Sequence, residues 1–210
     1  MIDHLIFDFD GTVSDSYPLF VQFFHKTAKK RGFTIPCTDD ELYRASKRVM
    51  HDAYVAAQCE DVCDYPTFVD DFHELQVVHR NEFQIFPAAK ALLTAATEQG
   101  KHCYLYTHTG PVVKEMLENM GVSDCFDFIL DSSYGFPMKP APDALLFFLD
   151  KFGFDPKSCV MIGDRPIDAH AGMNAGMYGC LWDADHLFPE AQVDFYIKDL
   201  SEVKKIVDIN

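Results

Sequence analysis

Positive charge is scarce in this chain. Lys and Arg number 18 against 33 Asp and Glu, a formal charge of −15 over 210 residues. That deficit excludes a general nucleic-acid binder or a protein that adheres to anionic lipid, since both need a cationic footprint. It leaves room for a small phosphorylated molecule, because a divalent cation and a few local cations reverse the sign within one pocket. Long apolar runs are missing too: no window approaches the ~20 residues of a membrane span. The N-terminus, Met1-Ile2-Asp3-His4-Leu5-Ile6-Phe7-Asp8, carries acids where a secretory leader needs a positive start and a longer apolar stretch. The 7 cysteines form no CxxC and no regular framework, which argues against a disulfide scaffold. Cys59 and Cys63 could sit one helical turn apart, but no second close-spaced ligand pair completes a zinc site. The expectation is a soluble, cytoplasmic protein with idle thiols.

With 48% hydrophobic and 24% charged residues, the composition is that of a globular protein and excludes wholesale disorder. The pattern along the chain is uneven. Leu5 to Phe9 is a short apolar run that ends in acids and Gly11, as a buried strand running into a loop does. From Ser16 to about Glu82 the periodicity is helical. One helix is expected from Tyr17 to Arg31, stopped by Gly32. A second opens on Thr38-Asp39-Asp40-Glu41, which reads as a capping box, and continues to about Gln58. A third runs from about Thr67 to Arg80.

After Phe86, helical and strand patterns alternate: Pro87 to Gln99, His102 to Thr107, Val112 to Met120, Phe126 to Leu130, Asp143 to Phe152, Cys159 to Ile162, Pro166 to Ala175 and Gly179 to Leu181. Regular alternation of this kind implies a doubly wound parallel sheet with helices on both faces. The fold class expected is therefore α/β, with residues 1–14 and 85–210 as the core and residues 15–84 as an inserted α-helical cap domain.

In an open α/β sheet, ligands bind beyond the carboxyl ends of the strands. The polar residues at those ends form an ordered set. The first strand delivers Asp8, Asp10, Gly11 and Thr12, and the second delivers Thr107. Lys139 precedes a Pro-initiated helix, and the fourth strand delivers Gly163 and Asp164, with Asp168 one helical turn on. Four carboxylates on one sheet edge repel one another unless a cation holds them, and hard oxygen ligands suit Mg²⁺. Thr107 and Lys139 add a hydrogen-bond donor and a fixed positive charge, a combination that makes a phosphate site. Individually these residues also read as turn formers, helix caps or a solvated lysine; such readings do not explain why all the acids fall on one edge.

Asp8-Phe9-Asp10-Gly11-Thr12-Val13, then Thr107, then Lys139-Pro140, then Gly163-Asp164-Arg165-Pro166-Ile167-Asp168, resembles the four motifs of the haloacid dehalogenase-like (HAD) superfamily. The helical insertion after the first motif resembles the cap of the subfamily containing phosphoglycolate phosphatase and β-phosphoglucomutase. The resemblance implies a Rossmann-like core and a Mg²⁺-dependent phosphatase acting through an aspartyl-phosphate. It implies Asp8 as nucleophile and Asp10 as general acid and base, with the Asp10 carbonyl also on the metal. Asp164 would bind the metal directly, and Asp168 through water or by orienting its neighbours. Thr107 and Lys139 would hold the phosphoryl group, with backbone N–H groups around Gly11, Thr12 and beside Thr107 as its cradle.

His108 departs from the small or amide side chain that family members often carry after this Thr. It could contact substrate and bring pH dependence near neutrality, although a loop histidine facing water is the expectation. Asp10 favours phosphate-ester or phosphomutase chemistry over dehalogenation, so a sugar-phosphate mutase is the alternative. A non-catalytic phosphate-receiving module is disfavoured by the inserted cap and by a nucleophile on the first strand. In the cap, Arg44, Lys47, Arg48 and His51 fall at helical spacing and could form a cationic face toward a substrate, and Tyr17 could line the site. The partner expected is a small phosphorylated metabolite, with neither nucleic acid nor membrane, in a monomer or homodimer.

Overall fold

The computed structural model describes residues 1–209. The chain divides into two compact units, Met1–Ser14 with Ile85–Asn210, and Asp15–Gln84.

The larger unit is built on a sheet of six parallel strands: β1 (His4–Phe7), β2 (His102–Tyr106), β3 (Phe126–Leu130), β4 (Cys159–Gly163), β5 (Tyr178–Trp182) and β6 (Phe195–Ile197). Their order is β3-β2-β1-β4-β5-β6, so the winding direction reverses between β1 and β4. This is the topological switch point at which open α/β sheets place their ligands. Leu5, Ile6 and Phe7 are fully buried, because a central parallel strand is covered on both faces.

Register decides which side chains emerge together. Phe7 pairs with Leu105 of β2 and with Ile162 of β4. The Asp8 N–H continues the ladder to the Ile162 carbonyl at 2.9 Å, and the Thr107 N–H continues another to Leu130 at 3.0 Å. Asp8, Thr107 and Gly163 thus leave the sheet at nearly one level.

Nine α-helices occupy the described residues. In the smaller unit they are α1 (Tyr17–Arg31), α2 (Asp39–Arg48), α3 (Met50–Ala56) and α4 (Tyr65–Val78). In the larger unit they are α5 (Pro87–Glu98), α6 (Val113–Met120), α7 (Asp143–Phe152), α8 (Pro166–Asn174) and α9 (Val203–Ile206). Pro near the first turn and Gly just past the end mark several of them, as chain stereochemistry favours. β6 and α9 were not expected. A three-residue strand and a four-residue helix are too short to carry a readable period.

The smaller unit packs on aromatic rings. Phe20 and Phe23 of α1 meet Phe72 of α4 with centroids 5.0 and 5.4 Å away, and Phe24 meets Phe68 at 5.0 Å. Asp71 of α4 accepts from Lys30 Nζ and Arg31 Nε at 2.8 Å each, tying α4 to the last turn of α1. The capping box is present: Thr38 Oγ1 accepts the Glu41 N–H, and the Glu41 carboxylate accepts the Thr38 N–H. The helix expected to reach Gln58 does not. Val49 turns extended (φ −149, ψ 132) and separates α2 from α3. A β-branched residue loses little in leaving the helix. The third helix begins at Tyr65 rather than Thr67, because Asp64 caps it by accepting the Thr67 N–H at 2.8 Å.

Candidate active site

Three buried carboxylates, Asp8, Asp164 and Asp168, each bring an oxygen to within 4.8 Å of the others. Among the described residues no other His, Cys, Asp or Glu group of three or more converges in this way. Cys59 and Cys63 belong to no such group, and burial pushes the Cys59 thiol up to about 12.

Lys139 closes the cluster. It comes from an otherwise exposed loop, with Met138 and Pro140 at the surface, yet its own side chain is completely buried. Its Nζ donates to Asp8 Oδ1 at 2.5 Å, to Asp168 Oδ1 at 2.8 Å and to the Tyr106 carbonyl at 3.1 Å. The Tyr106 ring lies against the ammonium with its centroid 4.6 Å away. Burial opposes the charge, but Asp168 and Asp8 outweigh it and hold the ammonium above the usual lysine range. One cation shared by two buried acids does not neutralise them, and Asp8 carries the remainder: burial pushes its carboxyl up to about 6 against the pull of Lys139. Asp168 goes the other way. Its burial is outweighed by Lys139 and Arg165, and it stays ionised below the usual carboxylate range.

Arg165, not Asp164, occupies the N-cap position of α8. Its N–H donates to Asp168 Oδ2 at 3.2 Å. Asp164 is therefore no helix cap, which removes the simplest structural reason for an acid there. Gly163 makes room for this arrangement, since a Cβ on it would run into the Asp168 side chain.

Does this donor set fit a cation? Asp8 Oδ2 is buried and accepts no hydrogen bond from the protein. Such a carboxylate oxygen is costly unless something positive meets it. An all-carboxylate group of three with a buried, unsatisfied oxygen suits a hard divalent ion.

The turn after β1 is held by its own backbone. Gly11 takes φ 80, a left-handed conformation open to glycine at little cost. The Gly11 N–H donates to the Ser14 carbonyl at 2.8 Å and the Thr12 N–H to Phe9 at 3.3 Å. The cradle expected from Gly11 and Thr12 is therefore not built from their N–H groups, which close the turn instead. Thr12 Oγ1, fully buried, accepts and donates no hydrogen bond within the protein.

The Asp10 carboxylate stands outside the three-acid cluster. Its Oδ2 accepts from Thr109 Oγ1 at 2.7 Å. Thr107 Oγ1 accepts the Thr109 N–H at 3.0 Å, which leaves the Thr107 hydroxyl proton for another acceptor. His108 lies between them and does not face water freely as expected. Its Nε2 accepts the Lys139 backbone N–H at 3.2 Å, and burial together with the Lys139 charge pulls the imidazole down to about 4. A neutral ring is what an acceptor at Nε2 requires, and it removes the pH dependence near neutrality that His108 could have brought.

Thr109 and Tyr106 were missed by sequence reasoning. Two hydroxyl residues flanking a histidine give a faint signal for Thr109. A carbonyl contact such as that of Tyr106 leaves none.

In the smaller unit the expected cationic face is broken up. Arg44 is exposed and its Nε pairs with Asp40 at 2.9 Å. Arg48 is exposed at the end of α2, and His51 lies beyond the Val49 break. Lys47 alone is buried, 6% exposed, with its Nζ 5.6 Å from the Tyr17 ring centroid and 5.9 Å from that of Tyr43. A spacing of three or four residues does not survive a helix break, and within α2 itself Lys47 is buried while Arg44 is exposed.

The chain belongs to the haloacid dehalogenase-like hydrolase family, which matches residues 5–181. It is 25% identical over 211 residues to a phosphoglycolate phosphatase of Aquifex aeolicus (strain VF5), covering 97% of this chain and 96% of that one. It is 23% identical over 225 residues to an N-acetylmuramic acid 6-phosphate phosphatase of Pseudomonas putida, covering 97% and 95%. Its fold is similar to the crystal structure of a predicted phosphoglycolate phosphatase from Haemophilus somnus 129pt, with a TM-score of 0.82 at 20% identity over 98% and 97% of the chains. Family membership together with the buried acid cluster makes this an enzyme, a phosphoric-monoester hydrolase working by HAD-type phosphoryl chemistry. No helix of the described residues is long and apolar enough to cross a membrane.

Proposed function

We propose that this protein is a Mg²⁺-dependent phosphatase of a small phosphorylated metabolite, acting through an aspartyl-phosphate on Asp8. The observation that carries the reading is Lys139, fully buried between Asp8 and Asp168 with Asp164 close by. Nothing in a packed core calls for three acids and one lysine at the switch point of the sheet, and breaking even with such charges is difficult unless function requires them.

Asp8, Asp164 and Asp168, with the Asp10 carbonyl, would hold the cation. Bound there, Mg²⁺ supplies charge neutralisation for the transferring phosphoryl group. The chain's own groups do the rest. Lys139 keeps one Asp8 oxygen in place and offsets anionic charge beside it. Thr107 offers its hydroxyl proton to a phosphoryl oxygen. Asp10 gives a proton to the leaving alkoxide in the first step and takes one from water in the second.

Phosphoglycolate is the first substrate to test, because the Aquifex relative bears that activity in its name and its match spans nearly the whole chain. An amino-sugar phosphate comes next, on the Pseudomonas relative. The test is release of phosphate from p-nitrophenyl phosphate with Mg²⁺ and with EDTA, then from a panel of phosphorylated metabolites. Metal-dependent release, lost in Asp8→Asn while the circular dichroism spectrum is kept, is the expected result. A sugar phosphate that is isomerised rather than hydrolysed would instead identify a mutase, and no metal-dependent release from any candidate would defeat the proposal.

A further inference from the structure

Thr109 is 3% exposed and sits two residues past Thr107, on the turn that leaves β2. It makes two hydrogen bonds into the site: its N–H to Thr107 Oγ1 and its hydroxyl to Asp10 Oδ2. A threonine hydroxyl has a single proton to give. With that proton given to Oδ2 of the ionised Asp10, the proton that Asp10 takes up is directed to Oδ1. The contact also settles a freedom that an aspartate otherwise has, because rotation about its last side-chain bond is broad and nearly two-fold. Hydrogen bonds to an ionised acceptor are short and strong enough to hold such a group, and this one measures 2.7 Å.

We propose that Thr109 is a positioning residue for Asp10, directing which carboxyl oxygen carries the proton that the leaving group receives. The inference rests on the phosphatase reading above. In the first half-reaction an Asp8 oxygen bonds to phosphorus as the ester P–O bond breaks. The bonding pair departs with the leaving oxygen, which takes the proton from Asp10 Oδ1. In the second half-reaction water attacks phosphorus and passes a proton to Asp10, the bond between phosphorus and Asp8 breaks, and inorganic phosphate leaves. Ester plus water become alcohol plus phosphate, with Asp8 and Asp10 restored.

A group that orients a proton donor matters in proportion to how much the leaving oxygen needs that proton. A mere packing role for Thr109 would be indifferent to the leaving group. The experiment therefore compares two esters of similar shape, p-nitrophenyl phosphate and phenyl phosphate, the second with a far more basic leaving oxygen. The variants are Thr109→Val and Thr109→Ala, which lack the donor, and Thr109→Ser, which keeps it.

Positioned acids contribute on the order of 10²–10⁴-fold. Without the donor, kcat/KM for phenyl phosphate should fall by about tenfold or more, and that for p-nitrophenyl phosphate by less than about threefold. Thr109→Ser should stay within about threefold of the unaltered enzyme on both. Two variants without the donor guard against one that does not fold. Equal losses on the two esters, no loss on either, or a folded Ser variant that fails to restore the difference overturns the inference and leaves the phosphatase reading standing. An unaltered protein that releases phosphate with Mg²⁺ present from neither ester nor any metabolite of the panel overturns both.

Discussion

Lys139 and Asp8 form a hydrogen-bonded ion pair of 2.5 Å in a place where neither side chain meets solvent: the lysine side chain is 0% and the aspartate 3% exposed. The two residues lie 131 positions apart in sequence, so only the finished sheet brings them together. Removing one partner of a buried pair strands the other, at about 3–5 kcal/mol. Here the loss strands two acids, since Asp168 also accepts from the same Nζ. Lys139→Ala should therefore lower unfolding stability by about that amount in urea and remove turnover. Lys139→Arg should not restore turnover, because a planar guanidinium does not fit where a compact ammonium makes three contacts. An alanine variant as stable as the parent would mean that the pair is not formed in solution.

Gly163→Ala tests the approach of α8 to the end of β4. A Cβ on Gly163 meets the Cβ, Cγ and Oδ2 of Asp168, a fully buried side chain fixed from both sides by Lys139 and the Arg165 N–H. Asp168 cannot yield without breaking those bonds. Overpacking of this kind costs about 1–3 kcal/mol, and the displaced acid should weaken metal-dependent turnover by more than its stability loss explains. Urea denaturation and a Mg²⁺ titration of activity, run on the same variant, separate the two effects. Unchanged Mg²⁺ dependence would place Asp168 outside the metal's surroundings.

Much of this architecture could be read in the sequence, for physical reasons that differ by residue. Buried parallel strands announce themselves because both faces are apolar, as in Leu5-Ile6-Phe7. Their ends announce themselves because acids at Asp8, Asp10 and Asp164 interrupt the runs. Thr38 with Glu41 marked a helix start correctly because capping is local, needing only residues three apart. Non-local facts were out of reach. The burial of Lys47 beneath Tyr17 and Tyr43, the capture of His108 by the Lys139 backbone, and the break at Val49 each depend on what packs nearby. The Gly11 and Thr12 N–H groups illustrate the same limit, since a glycine turn signals available donors but not which carbonyls will take them.

His108 makes the stability of the fold depend on pH. Its folded pKa, about 4, lies below the ~6.5 of an unfolded histidine. Between those values the unfolded chain binds the extra proton, so stability is full above about pH 6.5 and falls as the pH drops toward 4. His108→Asn removes this component. Urea denaturation at pH 7 and pH 4.5 should therefore show a smaller acid-induced loss in the variant than in the parent, by about 1–3 kcal/mol. Because the ring is neutral at physiological pH, the kcat/KM profile of the variant should keep its shape between about pH 5.5 and 8. An inflection near 6.5 that vanishes in His108→Asn would show that the imidazole titrates where the buried site says it does not.

Selectivity turns on the difference between Lys47 and its neighbours on α2. Arg44 is exposed, and its pair with Asp40, four residues away on one helix, is the kind worth only about 0.3–0.5 kcal/mol. Arg48 is exposed as well. Lys47 is buried against two tyrosine rings, where a cation is held by the ring faces and gains strength from the loss of water. Of the basic residues expected to meet substrate from the smaller unit, Lys47 is the one that is buried. Lys47→Met should raise KM about tenfold for the metabolite with the highest kcat/KM in the panel, as loss of one hydrogen bond to a charged group predicts. KM for p-nitrophenyl phosphate, which has no such group, should stay within about twofold, and Arg44→Gln and Arg48→Gln should leave both substrates unchanged to the same degree. A Lys47→Met variant that loses equally on both substrates would make the lysine a structural element of the aromatic cluster rather than a contact for substrate.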